Sequence, residues 1–391
     1  MRTSKRVQQI KPSATLALVA RTAELRAAGR DILSFGAGEP DFPTPSNVRT
    51  AAARAMDEGK TRYTAVAGVI ELRRAIAASY APDGLTYDPS DVLVTSGAKH
   101  ALFGALMALL DPGDRVVVPA PYWVSYPDMV KVAGGTPVIA TCRQEDGFRL
   151  RPEELRRVGK GAKVLLFNGV SNPTGAVHSP ADLAAIAEVC EELDLIVISD
   201  EIYERLVYDG AENSPFPAAS DDAKNRTVLV SGVSKTFAMT GWRIGWALGP
   251  SDIIGGMRKL QSQSTSNACS VSQWAALEAL TGPQDEIQAM VTAFQERRDR
   301  MVALLRAIDG IDVDTPHGAF YVLPRIDAFF GRREGIDNAD TLAAALLDEA
   351  GVAVVPGTPF GAPNHIRLSY ACAMDDIEAG MERLATFLDS L

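Results

Sequence analysis

The chain has 391 residues, 47% of them hydrophobic and 23% charged, with a formal net charge of −10. This apolar content can bury one large core and one smaller one, which predicts two domains and excludes a disordered chain. The negative balance, without a basic tract, argues against a nucleic-acid partner, and no apolar run is long enough to predict a membrane span.

The opening residues, MRTSKRVQQIKPS, carry no apolar stretch of the signal-peptide kind, so a cytoplasmic location is expected. A helical pattern over Leu16–Ala28 leads into Gly- and Pro-rich sequence. From about Asp91 to Gly249, short β-branched runs alternate with helical patterns. The runs are Val92–Thr95, Arg115–Val118, Val164–Phe167, Leu195–Ser199 and Thr227–Val230. Several are almost wholly apolar, as strands buried on both faces of a sheet must be. Between two of them, Ser179-Pro180-Ala181-Asp182 precedes Leu183, Ile186, Cys190 and Leu193. That is a capping serine, a first-turn proline and a helical apolar stripe. The alternation predicts an α/β fold with a mostly parallel sheet.

The C-terminal part reads as a smaller α+β domain. Its expected elements are a helix over Asp285–Ala307, a strand over Ala319–Leu323, a helix over Thr341–Ala350, strands over Val352–Val355 and Ile366–Ser369, and a final helix. The expected division is 45–285 for the large domain and 1–44 with 286–391 for the small one. Cys142, Cys190, Cys269 and Cys372 are far apart and form no CxxC pair. They are expected to be free thiols in a reducing compartment. The four histidines show no HExxH spacing, so no metal is expected.

In open α/β sheets, ligands sit beyond the carboxyl ends of the strands. Ser96-Gly97-Ala98-Lys99 follows the first run and opens a helix, whose free N–H groups can bind a phosphate. Asn172 follows the third run, within Asn168 to Gly175. Asp200-Glu201-Ile202-Tyr203 follows the fourth, and Ser231-Gly232-Val233-Ser234-Lys235 the fifth. A carboxylate beside a pyridine nitrogen keeps it protonated, so that the ring can accept electrons. An amide and a phenol can bind a ring oxygen. A lysine can form a Schiff base with an aldehyde and then act as a base. Together these parts suit a phosphorylated, aromatic, electrophilic cofactor.

The segment Ser234-Lys235-Thr236-Phe237-Ala238-Met239-Thr240-Gly241-Trp242-Arg243, with Asn172-Pro173-Thr174-Gly175 and Asp200-Glu201-Ile202-Tyr203, resembles the fold-type-I aminotransferases. The resemblance is closest to the bacterial aspartate aminotransferase subgroup and runs from Lys11-Pro12-Ser13 to the C-terminal arginine. It implies pyridoxal 5'-phosphate as cofactor and a sheet of the seven-stranded type. It also implies that Lys235 holds the cofactor covalently and Asp200 pairs with the pyridinium nitrogen. Asn172 and Tyr203 would contact the ring's phenolic oxygen. Tyr122 would stack on the ring, with Trp123 flanking the substrate. Gly97, Ala98, Lys99, Ser234 and Arg243 would hold the phosphate, with Tyr63 reaching the phosphate of the other subunit in a homodimer with shared sites. Arg367 would clamp the α-carboxylate, and Gly38 would lend backbone to the substrate site. Lys99, assisted by Ser13 and Thr15, would bind a second carboxylate. Many members carry a serine three residues before the lysine; here that position is Gly232, beside Ser231.

The expected reaction is ping-pong amino transfer from an L-amino acid, aspartate, to a 2-oxo acid, 2-oxoglutarate. Aromatic, prephenate/arogenate or broad specificity are alternatives. A β-lyase or a decarboxylating synthase on the same scaffold is a rival from another reaction class. A regulator using this domain to sense the cofactor would need a DNA-binding module, for which there is no room before Lys11 and no basic helix pair.

Overall fold

The computed structural model describes residues 3–10 and 14–391, so Lys11-Pro12-Ser13 lies outside the described residues. The apolar runs of the middle of the chain form seven strands of one sheet. They are β1 (Val92–Thr95), β2 (Arg115–Ala120), β3 (Thr136–Thr141), β4 (Val164–Asn168), β5 (Ile196–Asp200), β6 (Thr227–Gly232) and β7 (Gly245–Leu248). Their order across the sheet is β1-β7-β6-β5-β4-β2-β3. All neighbours are parallel except β7, which runs antiparallel to both β1 and β6. Every residue of β1, β6 and β7 is buried, as a sheet covered on both faces requires.

Two of these strands are not among the five expected runs. β3 is an edge strand with exposed residues, a proline and threonines at both ends, so it lacks the continuous apolar signal. β7 is only Gly-Trp-Ala-Leu, without a β-branched residue, and its strand state comes from pairing on both sides. The helix over Pro180–Glu192 begins with the expected cap. Ser179 accepts from the Asp182 amide at 3.2 Å, and Asp182 returns the contact to the Ser179 amide at 3.1 Å.

Ile366–Ser369 forms a strand with the expected ends, while two other C-terminal strands differ from expectation. Ala319–Leu323 contracts to a strand over Tyr321–Val322, because Ala319 takes a left-handed turn at φ 58°. Val352–Val355 splits in two. Val352–Ala353 pairs in parallel with Leu33–Ser34, and Val355–Pro356 pairs antiparallel with Ile366–Ser369. The latter strand also pairs with Tyr321–Val322, completing a three-stranded sheet. The helices Asp285–Arg306 and Met374–Asp389 pack on each other beside it. Among the described residues no helix is long and apolar enough to cross a membrane.

Candidate active site

The carboxyl ends of β1, β4, β5 and β6 converge on a cavity of about 310 Å³. Lys235, three residues beyond β6, lines it, with Nζ donating to the Gly38 carbonyl. Burial lowers its pKa to about 8, against the raising effect of Glu39; Arg367 and Arg243 push the same way as burial. The amine can therefore lose its proton near neutral pH.

Asp200, the last residue of β5, faces the same cavity and is buried. Desolvation raises it to about 6, while the Tyr126 hydroxyl, donating to Oδ2 at 2.7 Å, opposes that rise. A buried carboxylate of this kind is costly without a cation opposite it. A protonated ring nitrogen in the cavity would supply one. The strand pairing Asn168↔Asp200 sets the carboxylate beside Asn168, whose side chain donates to the Asp200 carbonyl at 2.8 Å and accepts from the Asn172 amide at 3.0 Å.

The helix after β1, α1 (Ala98–Leu109), starts behind Gly97, whose φ is +87°. A Cβ at Gly97 would lie 2.4 Å from Arg243 Nη2, so only glycine lets the guanidinium approach the helix start. Arg243 is itself left-handed, at φ 54°, and anchors Nη1 on the Thr240 carbonyl at 2.8 Å. Ala98, Lys99, Ser234 and Arg243 all line the cavity here. Helix N–H groups, a hydroxyl and a guanidinium form a ready anion seat. The donor set fits a phosphorylated aromatic aldehyde.

Arg367, which also lines the cavity, is 2% exposed. Its Nη1 donates to Asn172 Oδ1 at 3.1 Å and its Nη2 to the Gly36 carbonyl at 3.1 Å, while Nε has no partner among the described residues. The guanidinium lies against the rings of Tyr321, at 4.4 Å, and Phe360, at 4.9 Å. A planar cation fixed in this way, with donor capacity unused, suits a carboxylate.

The structure gathers Gly38, Ala98, Lys99, Trp123, Asn172, Asp200, Tyr203, Ser234, Lys235, Arg243, Arg367 and Thr15 around one cavity. Tyr122 is not among the lining residues. Its amide is tied to the Phe360 carbonyl at 2.9 Å, and it faces a neighbouring recess instead. Trp123, beside it in the chain, does line the cavity, packed edge-on to Tyr126, with Lys99 Nζ 4.6 Å above its ring. Tyr63 is 90% exposed and does not line this chain's cavity. Ser13 lies outside the described residues.

Gly232 has a packing reason. A Cβ there would come within 2.9 Å of both Gly245 Cα, the first residue of β7, and the Ile244 carbonyl just before it. The neighbouring Ser231 does not take over a role in the cavity, since its hydroxyl is bonded to Glu204 and to the Glu201 carbonyl. Sequence reading missed Asn168, Tyr126 and Tyr321. Tyr126 stands three residues after Trp123, one helical turn from a residue already singled out, and that spacing was the available signal.

The chain matches the family described as aminotransferase class I and II over residues 30–386. It is 44% identical to an aspartate aminotransferase of Geobacillus stearothermophilus, with both chains covered in full. It is 46% identical to an aspartate/prephenate aminotransferase of Cereibacter sphaeroides over 99% of each chain. The aspartate aminotransferase structure from Rhizobium meliloti superposes with a TM-score of 0.96 at 41% identity, covering 100% of this chain and 99% of that one.

Proposed function

The chain belongs to the class I and II aminotransferases, enzymes that use pyridoxal 5'-phosphate, and from that premise we propose how its residues share the work. The bound cofactor supplies an aldehyde for attachment and an electron-poor ring that takes up the electron pair released at the substrate α-carbon. Lys235 holds the cofactor. Its Nζ, when free, would accept the α-proton and later return it. Asp200, kept in place by Tyr126 and the Ile202 amide, pairs with the ring nitrogen. Tyr203 and Asn172 would bind the ring oxygen, and Trp123, which lines the cavity, would stack on the ring in place of Tyr122. The Gly97–Lys99 amides, Ser234 and Arg243 seat the phosphate.

Arg367 binds the α-carboxylate common to all amino acids. Lys99, with Thr15, binds a second carboxylate, so we take aspartate as donor and 2-oxoglutarate as acceptor. Support comes from the cation held over Trp123 in the cavity lining and from the names of the relatives. The protein acts as a homodimer in which the exposed Tyr63 reaches the partner's phosphate site; sedimentation at twice the chain mass is the expected result. Four free cysteines suit the cytoplasm. The division into 45–285 and 1–44 with 286–391 is supported by the pairing of Leu33–Ser34 with Val352–Ala353.

The observation that carries this reading is one cavity lined by the Lys235 amine, the Asp200 carboxylate and the Arg367 guanidinium. The test is a panel of amino donors with 2-oxoglutarate, run on wild type and Lys235→Ala. Oxo acid without ammonia or carbon dioxide, highest kcat/KM for aspartate, and loss of essentially all turnover in the variant are expected. Near-normal turnover by Lys235→Ala would overturn the reading.

A further inference from the structure

Tyr203 does not stand alone behind the cavity. Its hydroxyl lies 2.9 Å from the hydroxyl of Tyr321, and both rings are buried. Tyr321 also lines the cavity and carries the Arg367 guanidinium on its ring at 4.4 Å. One residue thus touches both the carboxylate clamp and the phenol nearest the cofactor oxygen.

The position of Tyr321 is over-determined. Its strand pairs with Ile366–Ser369, which sets Tyr321 opposite Ser369, two residues from Arg367. The left-handed turn at Ala319 just before it is held by hydroxyls of Tyr208 and Tyr370 on the Ala319 carbonyl. The Tyr321 carbonyl packs where a Cβ on Gly175 would come within 3.2 Å.

Each phenol has one proton. If Tyr203 donates into the cavity, its oxygen can accept from behind, and the only hydroxyl bonded to it among the described residues is that of Tyr321. If Tyr203 instead donates to Tyr321, it has nothing to give the cofactor. Burial keeps the Tyr203 phenol protonated, with its pKa well above the ordinary value. The direction of this one hydrogen bond therefore decides whether Tyr203 can serve.

We propose that Tyr321 is a positioning residue whose hydroxyl donates to Tyr203, turning Tyr203 toward the cofactor oxygen, while its ring is the platform for Arg367. The inference rests on the pyridoxal-phosphate reading above. Hydrogen bonds in series polarise one another, so the front phenol becomes a stronger donor. A stronger donor to the phenolic oxygen holds negative charge there and disfavours a proton on the neighbouring nitrogen.

The hydroxyl and the ring can be separated. Tyr321→Phe removes only the hydroxyl; Tyr321→Leu removes the platform as well. The readout is the pH midpoint of the cofactor absorbance change in the holoenzyme, together with KM for aspartate. In Tyr321→Phe the midpoint should rise by about half a pH unit. In Tyr203→Phe it should rise further, and adding Tyr321→Phe to that background should change nothing more. KM should stay within about twofold in Tyr321→Phe and rise about tenfold in Tyr321→Leu, as loss of a buried cation–π contact predicts. An unmoved midpoint in Tyr321→Phe, or an equal shift in the Tyr203→Phe background, overturns the proposal. Tyr321→Met, bulky and without a hydroxyl, carries the same midpoint test if the Phe variant does not fold. A wild-type protein with no absorbance that borohydride fixes at Lys235 would instead overturn the cofactor reading itself.

Discussion

Replacing Arg367 by lysine should cost activity with every amino donor equally. The guanidinium is held by Asn172 Oδ1 and the Gly36 carbonyl, each at 3.1 Å, and by two aromatic faces, so its remaining N–H groups point in a fixed direction. A carboxylate arriving there meets a preformed fork. Lysine keeps the charge but offers one flexible point of contact, so at least one charge-assisted hydrogen bond is lost, at about 1.5–3 kcal/mol. Loss of the stack on Tyr321 and Phe360 adds about 0.5–2 kcal/mol. Together these amount to a loss of about 30- to 5,000-fold in kcat/KM. The assay is kcat/KM for aspartate, alanine and phenylalanine in wild type and Arg367→Lys with saturating 2-oxoglutarate. Because all three share the α-carboxylate, the three losses should agree within a few-fold. A loss confined to aspartate would show that Arg367 reads the distal carboxylate, and the orientation of the substrate in the cavity would have to be reversed.

Two further variants test independent parts of the structure. Lys99→Ala should lower kcat/KM for aspartate and glutamate by about ten- to a hundredfold and for alanine much less; equal losses would assign Lys99 to the phosphate alone. Glu201→Gln should flatten the pH dependence of stability. Burial raises the Glu201 carboxyl from 4.5 to about 7, so the folded protein holds this proton more tightly than the unfolded chain. Its contribution is full below about 4.5 and is lost as pH rises through about 7, a difference of about 3 kcal/mol at most. Glutamine can still accept from the Ser199 hydroxyl and the Phe216 amide at the Oε1 position, so the variant should gain on wild type in melting temperature between pH 5 and pH 8. Parallel melting curves across that range would contradict it.

What could be read from the sequence divides along a physical line. The buried strands β1, β2, β4, β5 and β6 announce themselves through apolar composition, and the residues after them carry most of the chemistry. β7 does not, because a glycine-led run of four residues becomes a strand only by pairing with β1 and β6. Of the small-domain strands, Ile366–Ser369 has the expected ends, Ala319–Leu323 contracts and Val352–Val355 divides in two. The ends of the latter two are set by the turn at Ala319 and by Leu33–Ser34 drawing away Val352–Ala353, and neither effect is local.

The same distinction governs the site. Lys235, Asp200 and Asn172 each follow a strand, so position in the chain implies position in the fold. Tyr126 meets Asp200 across 74 residues, and Tyr321 meets Tyr203 across 118. Nothing near Tyr321 in the chain marks it, since a tyrosine in a buried strand is ordinary core. Its significance arises only when the strand beside Arg367 is laid against the turn after β5. A residue that supports a catalytic group from behind needs no motif of its own, only a polar atom at the right place in a dry region. Such residues are found by asking which buried hydroxyls have a partner and in which direction each bond must run. In this cavity the bond in question joins Tyr203 and Tyr321, and its direction decides whether the motif residue Tyr203 can do what its motif implies.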